Sequence, residues 1–184
     1  LVIDLKQIKK GKNNSKANSP VSKKKKFIIT IDPGHGGIDP GAINLGKKEK
    51  DITLKASIEL KKMLDKKGYL VYLTRKRDIF LSLRSRRNIA KKNKSDLFIS
   101  LHVDSVKKKS TRGTSIYTLS EKASDKITEK LAERENKADM IAGVNLEDVD
   151  NEVASILLDL TRRDTKNSSS MFAEKYIEKV RKNG

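Results

Sequence analysis

Three short apolar runs punctuate the chain, each closed by polar or turn-forming residues. Residues 27–31 read Phe-Ile-Ile-Thr-Ile and stop at Asp32-Pro33-Gly34, residues 69–74 read Tyr-Leu-Val-Tyr-Leu-Thr, and residues 96–101 read Asp-Leu-Phe-Ile-Ser-Leu and stop at His102. Runs this short, rich in β-branched and aromatic residues, predict strands. A helical period fills the gaps. In residues 49–67, Ile52, Ala56, Leu60, Met63 and Leu64 recur at three- and four-residue spacing and Gly68 supplies the stop, which predicts an amphipathic helix with Glu49 in its first turn. Residues 82–93, with Leu83, Arg86, Arg87 and Ala90, predict a second, basic helix. Alternating strands and helices imply an α/β fold, a three-layer sandwich whose central, mostly parallel sheet is flanked by helices. Sites in such sheets gather beyond the carboxyl ends of the parallel strands.

The flanks read differently. Residues 1–6, Leu-Val-Ile-Asp-Leu-Lys, look like the last strand of an element that begins upstream, and residues 7–26 form a basic, polar linker too hydrophilic to bury. Toward the other end, a Lys/Glu-rich helix is expected over residues 123–140. Another is expected over 151–163, with Val153, Ile156, Leu157 and Leu160 on one face, and a last helical run over 172–180. The 184 residues suffice for one domain with a core, expected over 27–184, and the chain is expected to be a monomer.

Charge narrows the partners. Lys and Arg number 42 against 24 Asp and Glu, a net charge of +18, which favours anionic partners. Aromatic residues make up only 4% of the chain, so stacking platforms for single-stranded nucleic acid are scarce and no specific nucleic-acid partner is expected. With no Cys, a transition metal must be held by nitrogen and oxygen. No run of 18 apolar residues exists, so no transmembrane helix is expected.

The candidate chemistry lies in His35, Glu49 and His102. The two histidines are the only ones in the chain, each stands where an apolar run stops, and the glutamate opens a helix between them. A catalytic zinc takes three ligands of this kind and keeps a fourth position open. Singly, each residue has a plainer reading, since a histidine can cap a strand end and an acid stabilises a helix start. The glycines at 34, 36, 37, 41 and 46 let backbone approach a ligand, and without a Gly-Lys-Ser/Thr sequence the loop reads as a metal loop rather than a phosphate loop. Asp32 and Asp39 are expected to brace His35 through its second ring nitrogen. Asp104 is read as a turn former, and Arg75, Arg84, Arg86 and Arg87 as surface or sheet-edge charges.

The ordered motifs Ile-Asp-Pro-Gly-His-Gly-Gly-Ile-Asp-Pro-Gly-Ala, Glu-Lys-Asp-Ile-Thr-Leu, Leu-Thr-Arg and Leu-Phe-Ile-Ser-Leu-His-Val-Asp-Ser resemble the zinc-dependent N-acetylmuramoyl-L-alanine amidases of the AmiA/AmiB/AmiC type. The likeness begins near Phe27 and implies His35, Glu49 and His102 as ligands of one zinc ion. The implied reaction is hydrolysis of the amide between muramic acid and L-Ala of the peptidoglycan stem, in wall remodelling and daughter-cell separation. The family's general-base glutamate, on a final strand resembling Pro-Ser-Val-Leu-Val-Glu-Xaa-Gly-Phe, has no counterpart up to Gly184. It is expected beyond that residue, and this form is expected to be inactive or nearly so. The stretch Leu131-Ala132-Glu133-Arg134-Glu135 resembles the regulatory helix of the division-associated branch, inserted here over about 121–163. The resemblance makes Glu135 the inhibitory metal ligand, with Glu133 and Glu129 as neighbours. It further implies a LytM-type activator, an AMIN-like module ending at residues 1–6, and a periplasmic protein with its signal peptide upstream. Two other classes fit parts of the sequence: a noncatalytic zinc-containing wall protein, and a basic-surface binder of wall or nucleic acid whose binding would fall with salt and survive a chelator.

Overall fold

The computed structural model describes residues 2–5, 26–103, 113–118 and 156–183, with side chains left aside at 2–5, 156–164 and 183. The main sheet is built from β1 (Val2–Leu5), β2 (Ile28–Pro33), β5 (Leu70–Leu73), β6 (Leu97–Leu101) and β7 (Tyr117–Thr118). A small hairpin, β3 (Ile43–Asn44) and β4 (Lys47–Lys48), leads into helix α1 (Glu49–Lys66); α2 (Leu83–Lys92) and α3 (Ile156–Asn183) complete the described elements. The strand order is β5-β2-β6-β1-β7, with β5, β2 and β6 mutually parallel as expected.

Register explains the layering. Ile29 lies opposite Val71 and Leu97, and Ile31 opposite Leu73 and Ile99, so these six buried side chains form two rows on one sheet face. Ile58, Leu60 and Leu64 of α1 and Phe172 of α3 cover that face. Side chains alternate along a strand, so Thr30 and Asp32 point to the other face, where α2 reaches Asp32 through Arg86. The two crossovers, β2–α1–β5 and β5–α2–β6, run in opposite directions along the sheet. Right-handed connections therefore place α1 and α2 on opposite faces, which gives the sandwich.

The helix ends are explained by their caps. Lys48 offers α1 no side-chain cap, and the first N–H groups go to Ala42 and Pro40 carbonyls at 2.9 and 3.2 Å, with Glu49 and Asp51 complementing the dipole. Gly68 (φ +87°) closes the helix. Ser82 caps α2 by accepting from Ser85 N–H at 3.2 Å.

Two readings of the sequence are corrected. Helix α1 buries Glu49, Lys50, Thr53 and Ser57, whereas Ile52 and Met63 are 38% and 60% exposed. Its first turns lie on the glycine loop, where Lys50 Nζ and Thr53 Oγ1 donate to the carbonyls of Gly37 and Gly34, and the side chains packed on the apolar core are Ile58, Leu60 and Leu64. The helical runs expected at 151–163 and 172–180 join in the single helix α3. The apolar strand at the amino end, β1, pairs antiparallel with β6 and parallel with β7 inside the main sheet, which satisfies its backbone there. The expected helix at 123–140, with Glu129, Glu133 and Glu135, lies outside the described residues, as do Asp104 and residues 6–25.

Ile31 sits at the centre of the covered face with no exposed surface. Ile31→Ala is expected to cost about 2–5 kcal/mol of stability, read as a lower urea midpoint; a change well under that range would show that the rows at Ile29 and Ile31 are not the core.

Candidate metal centre

The loop after β2 is built from backbone conformations that few sequences tolerate. His35, Gly36 and Gly37 follow one another at φ +59°, +135° and +58°. Glycine takes such angles freely, but histidine does so at a cost that surrounding contacts must cover. Gly36 and Asp39 then exchange two backbone hydrogen bonds of 2.9 and 3.1 Å, which folds the loop back and sets the Asp39 carboxylate 2.8 Å from His35 Nδ1. Parallel pairing of Pro33 with Leu101, extended by Gly34 N–H donating to Leu101 O at 3.0 Å, delivers His102 beside His35. A Cβ on Gly34 would stand 2.5 Å from the His102 ring, and one on Gly41 2.5 Å from the His35 ring. Both glycines leave room for the imidazoles.

The three expected residues come together. His35 Nε2 and Glu49 Oε2 are 3.2 Å apart, His102 Nδ1 and Glu49 Oε1 3.2 Å, and His102 Nδ1 and His35 Nε2 3.2 Å. Donor atoms bound to zinc at about 2.0–2.1 Å at tetrahedral angles are separated by roughly 3.3 Å. The residues therefore fit such an ion. Asp39 accepts the Nδ1 proton of His35, which leaves a lone pair on Nε2 facing the other two donors. His35 and Glu49 are buried, while His102 is partly exposed, so the cluster opens on that side. Burial by itself would raise the pKa of Glu49, but hydrogen bonds with His102 and His35 and from the Ala42 and Val103 N–H groups hold it well below the usual carboxylate range. A buried anion facing two imidazole nitrogens is a natural seat for a cation.

Two arginines expected at the surface are buried, and they hold this loop. Arg75 is 1% exposed and donates to the carbonyls of Pro33 (3.0 Å), Gly34 (2.9 Å) and Lys50 (2.8 Å). Burial and the neighbouring Arg86 lower its pKa, with Asp32, Asp78 and Asp51 acting the other way. Arg86 is 5% exposed and donates to Asp32 Oδ1 (2.8 Å), Pro33 O (2.9 Å) and His35 O (2.9 Å). Asp32 is thus engaged by Arg86 and by Ser100 (2.8 Å) on the sheet face opposite the apolar core, and Asp39 is the carboxylate that braces His35. Arg84 and Arg87 are exposed, as expected. Lys50 and Asp78 were not singled out by the sequence, yet they fix Gly37: Lys50 Nζ donates to its carbonyl at 2.8 Å and to Asp78 at 2.6 Å, and Asp78 accepts from its N–H at 2.7 Å. The alternation Ile-Thr-Ile-Asp in β2 was the available signal, because it puts a carboxylate on an inward face that requires a cation.

Comparison with known proteins identifies the family. Residues 29–184 match the family Amidase_3, N-acetylmuramoyl-L-alanine amidase. The chain is 36% identical over 174 residues to N-acetylmuramoyl-L-alanine amidase AmiA of Escherichia coli (strain K12), covering 92% of this chain and 60% of that protein. It is 36% identical over 155 residues to AmiC of Neisseria meningitidis, covering 83% of this chain and 37% of that protein. Among solved structures, AmiC2 of Nostoc punctiforme is 38% identical with a TM-score of 0.42 over 44% of this chain and 46% of that one. The chain spans 60% of the length of its AmiA relative. Because the family match extends over both histidines, the glutamate and the arginines that hold their loop, the chain belongs to the N-acetylmuramoyl-L-alanine amidase family.

Proposed function

We propose that this chain is the zinc-binding part of a periplasmic peptidoglycan hydrolase that cleaves the amide between N-acetylmuramic acid and L-Ala of the stem peptide. The observation that carries this reading is the convergence of His35 Nε2, Glu49 and His102 Nδ1 at mutual distances of 3.2 Å. Family membership supplies the substrate class. The names of the relatives, AmiA and AmiC, support it.

Each residue has a definite task. His35 and His102 would hold the ion through Nε2 and Nδ1, Asp39 keeps the proton on the far nitrogen of His35, and Glu49, anionic at neutral pH, would offset half of a divalent charge. When bound, zinc supplies Lewis-acid activation of the scissile carbonyl and of the attacking water. The exposed side of His102 admits the substrate, and the chain's net charge of +18 draws it toward anionic wall polymer in a salt-dependent way. In the same reading Glu135 would be an inhibitory ligand of the ion, relieved by a LytM-type activator in the service of daughter-cell separation.

Zinc content and release of dye-labelled peptidoglycan, measured on the same samples, test the reading. About one zinc per chain is expected in the wild type, as for a single three-ligand site, and none after dialysis in His102→Ala. No zinc in the wild type would sink the metal centre. Glu135→Ala is expected to raise release above the wild-type level; bound zinc with no release from any variant would leave a noncatalytic wall-binding protein. Gly34→Ala, whose Cβ collides with the His102 ring, is expected to weaken zinc binding while the far-ultraviolet circular dichroism stays unchanged. Unaltered affinity in that variant would mean that His102 is not held against the loop.

A further inference from the structure

The reading above accounts for the ligands but not for what holds His35 in its unfavourable backbone conformation. Its φ of +59° is left-handed, and a non-glycine residue in that region costs of order 1–3 kcal/mol unless its surroundings over-determine it. Asp39 orients the imidazole and its backbone carbonyl accepts from the Gly36 N–H of the same peptide at 2.9 Å, which leaves the His35 carbonyl to another donor. The peptide carbonyl is held from the far side of the sheet by Arg86, whose Nη2 donates to His35 O at 2.9 Å while Nη1 donates to Pro33 O at 2.9 Å and Asp32 Oδ1 at 2.8 Å. Its Nε donates to Leu81 O at 2.9 Å, so the whole fork is fixed against α2 and its cap. A guanidinium is planar and keeps its donors at set angles on three separate nitrogens, whereas an ammonium carries all of its donors on one nitrogen and cannot span the same acceptors.

We propose that Arg86 is a positioning residue for the metal centre: by gripping the carbonyls of Pro33 and His35 it fixes the left-handed backbone that presents Nε2, so the ligand set is formed before an ion arrives. The proposal rests on the zinc reading. It places control of metal affinity in α2, an element that supplies no ligand. Arg86 meets neither ion nor substrate, and its effect passes through the backbone of one ligand. Neighbours that orient metal ligands typically change affinity 10- to 100-fold when replaced.

The test compares zinc dissociation constants, by competition with a chelator of known affinity, for the wild type, Arg86→Lys and Arg87→Lys. Arg87, on the exposed side of the same helix, serves as the control. Arg86→Lys keeps the charge beside Asp32 but loses the fork, and it is expected to bind zinc about 10- to 100-fold more weakly while Arg87→Lys matches the wild type. Equal affinity in folded Arg86→Lys and wild type would overturn this proposal and leave the metal centre standing; absence of zinc from the wild type would overturn both. Should Arg86→Lys fail to fold, amide hydrogen exchange of the wild type decides. The N–H groups of Gly36 and Gly37, bonded to Asp39 O and Asp78 Oδ1, are expected to exchange equally slowly with and without zinc. Protection that appears only with zinc would mean that the ion, and not Arg86, orders the loop.

Discussion

Everything at the carboxyl end of β2 depends on how three successive carbonyls, those of Pro33, Gly34 and His35, are satisfied once the chain leaves the sheet. They flank the left-handed turn at His35, where carbonyls this deeply buried need donors from side chains. Arg75 and Arg86 supply them. Two guanidiniums close enough to repel are tolerated because Asp32 lies against one, more distant carboxylates act on the other, and each fork spends its N–H groups on oxygen atoms. Removing one side of such an arrangement would strand buried donors or acceptors, which costs more than the bonds themselves contribute. The loop is rigid because its alternatives are unsatisfied.

This arrangement also explains why the two faces of the sheet differ. The face under α1 and α3 is an ordinary apolar core of Ile29, Ile31, Val71, Leu73, Leu97 and Ile99. The opposite face carries Thr30, Asp32, Thr74 and Ser100, a polar seam along the same strands that ends at the candidate metal centre. One face supplies cohesion, and the other supplies direction.

The three parallel strands were legible because each is a short apolar run with a clear stop, and the cluster was legible because both histidines stand at those stops. Two things were not. A helix is normally read by its apolar stripe, and α1 turns a polar stripe inward at Glu49, Lys50, Thr53 and Ser57, so the period misled at Ile52 and Ala56 although Leu60 and Leu64 do pack on the core. Charged residues are normally assigned to the surface, and Arg75 and Arg86 are buried because the carbonyls they serve exist only after the loop has taken its left-handed path. No local pattern encodes a partner that tertiary structure creates.

The positions that meet at the centre are far apart along the chain: His35 and His102 are separated by 67 residues, Glu49 and His102 by 53, and Asp32 and Arg86 by 54. In an unfolded chain, bringing such positions together carries the entropy cost of closing a long loop, which rises only slowly with length but must be met before any contact returns energy. An ion gripped by both histidines would therefore act as a covalent cross-link does, shrinking the ensemble of open chains as well as strengthening the closed one. For a chain without a single cysteine, the residues suited to chemistry are also the ones suited to tying the fold shut.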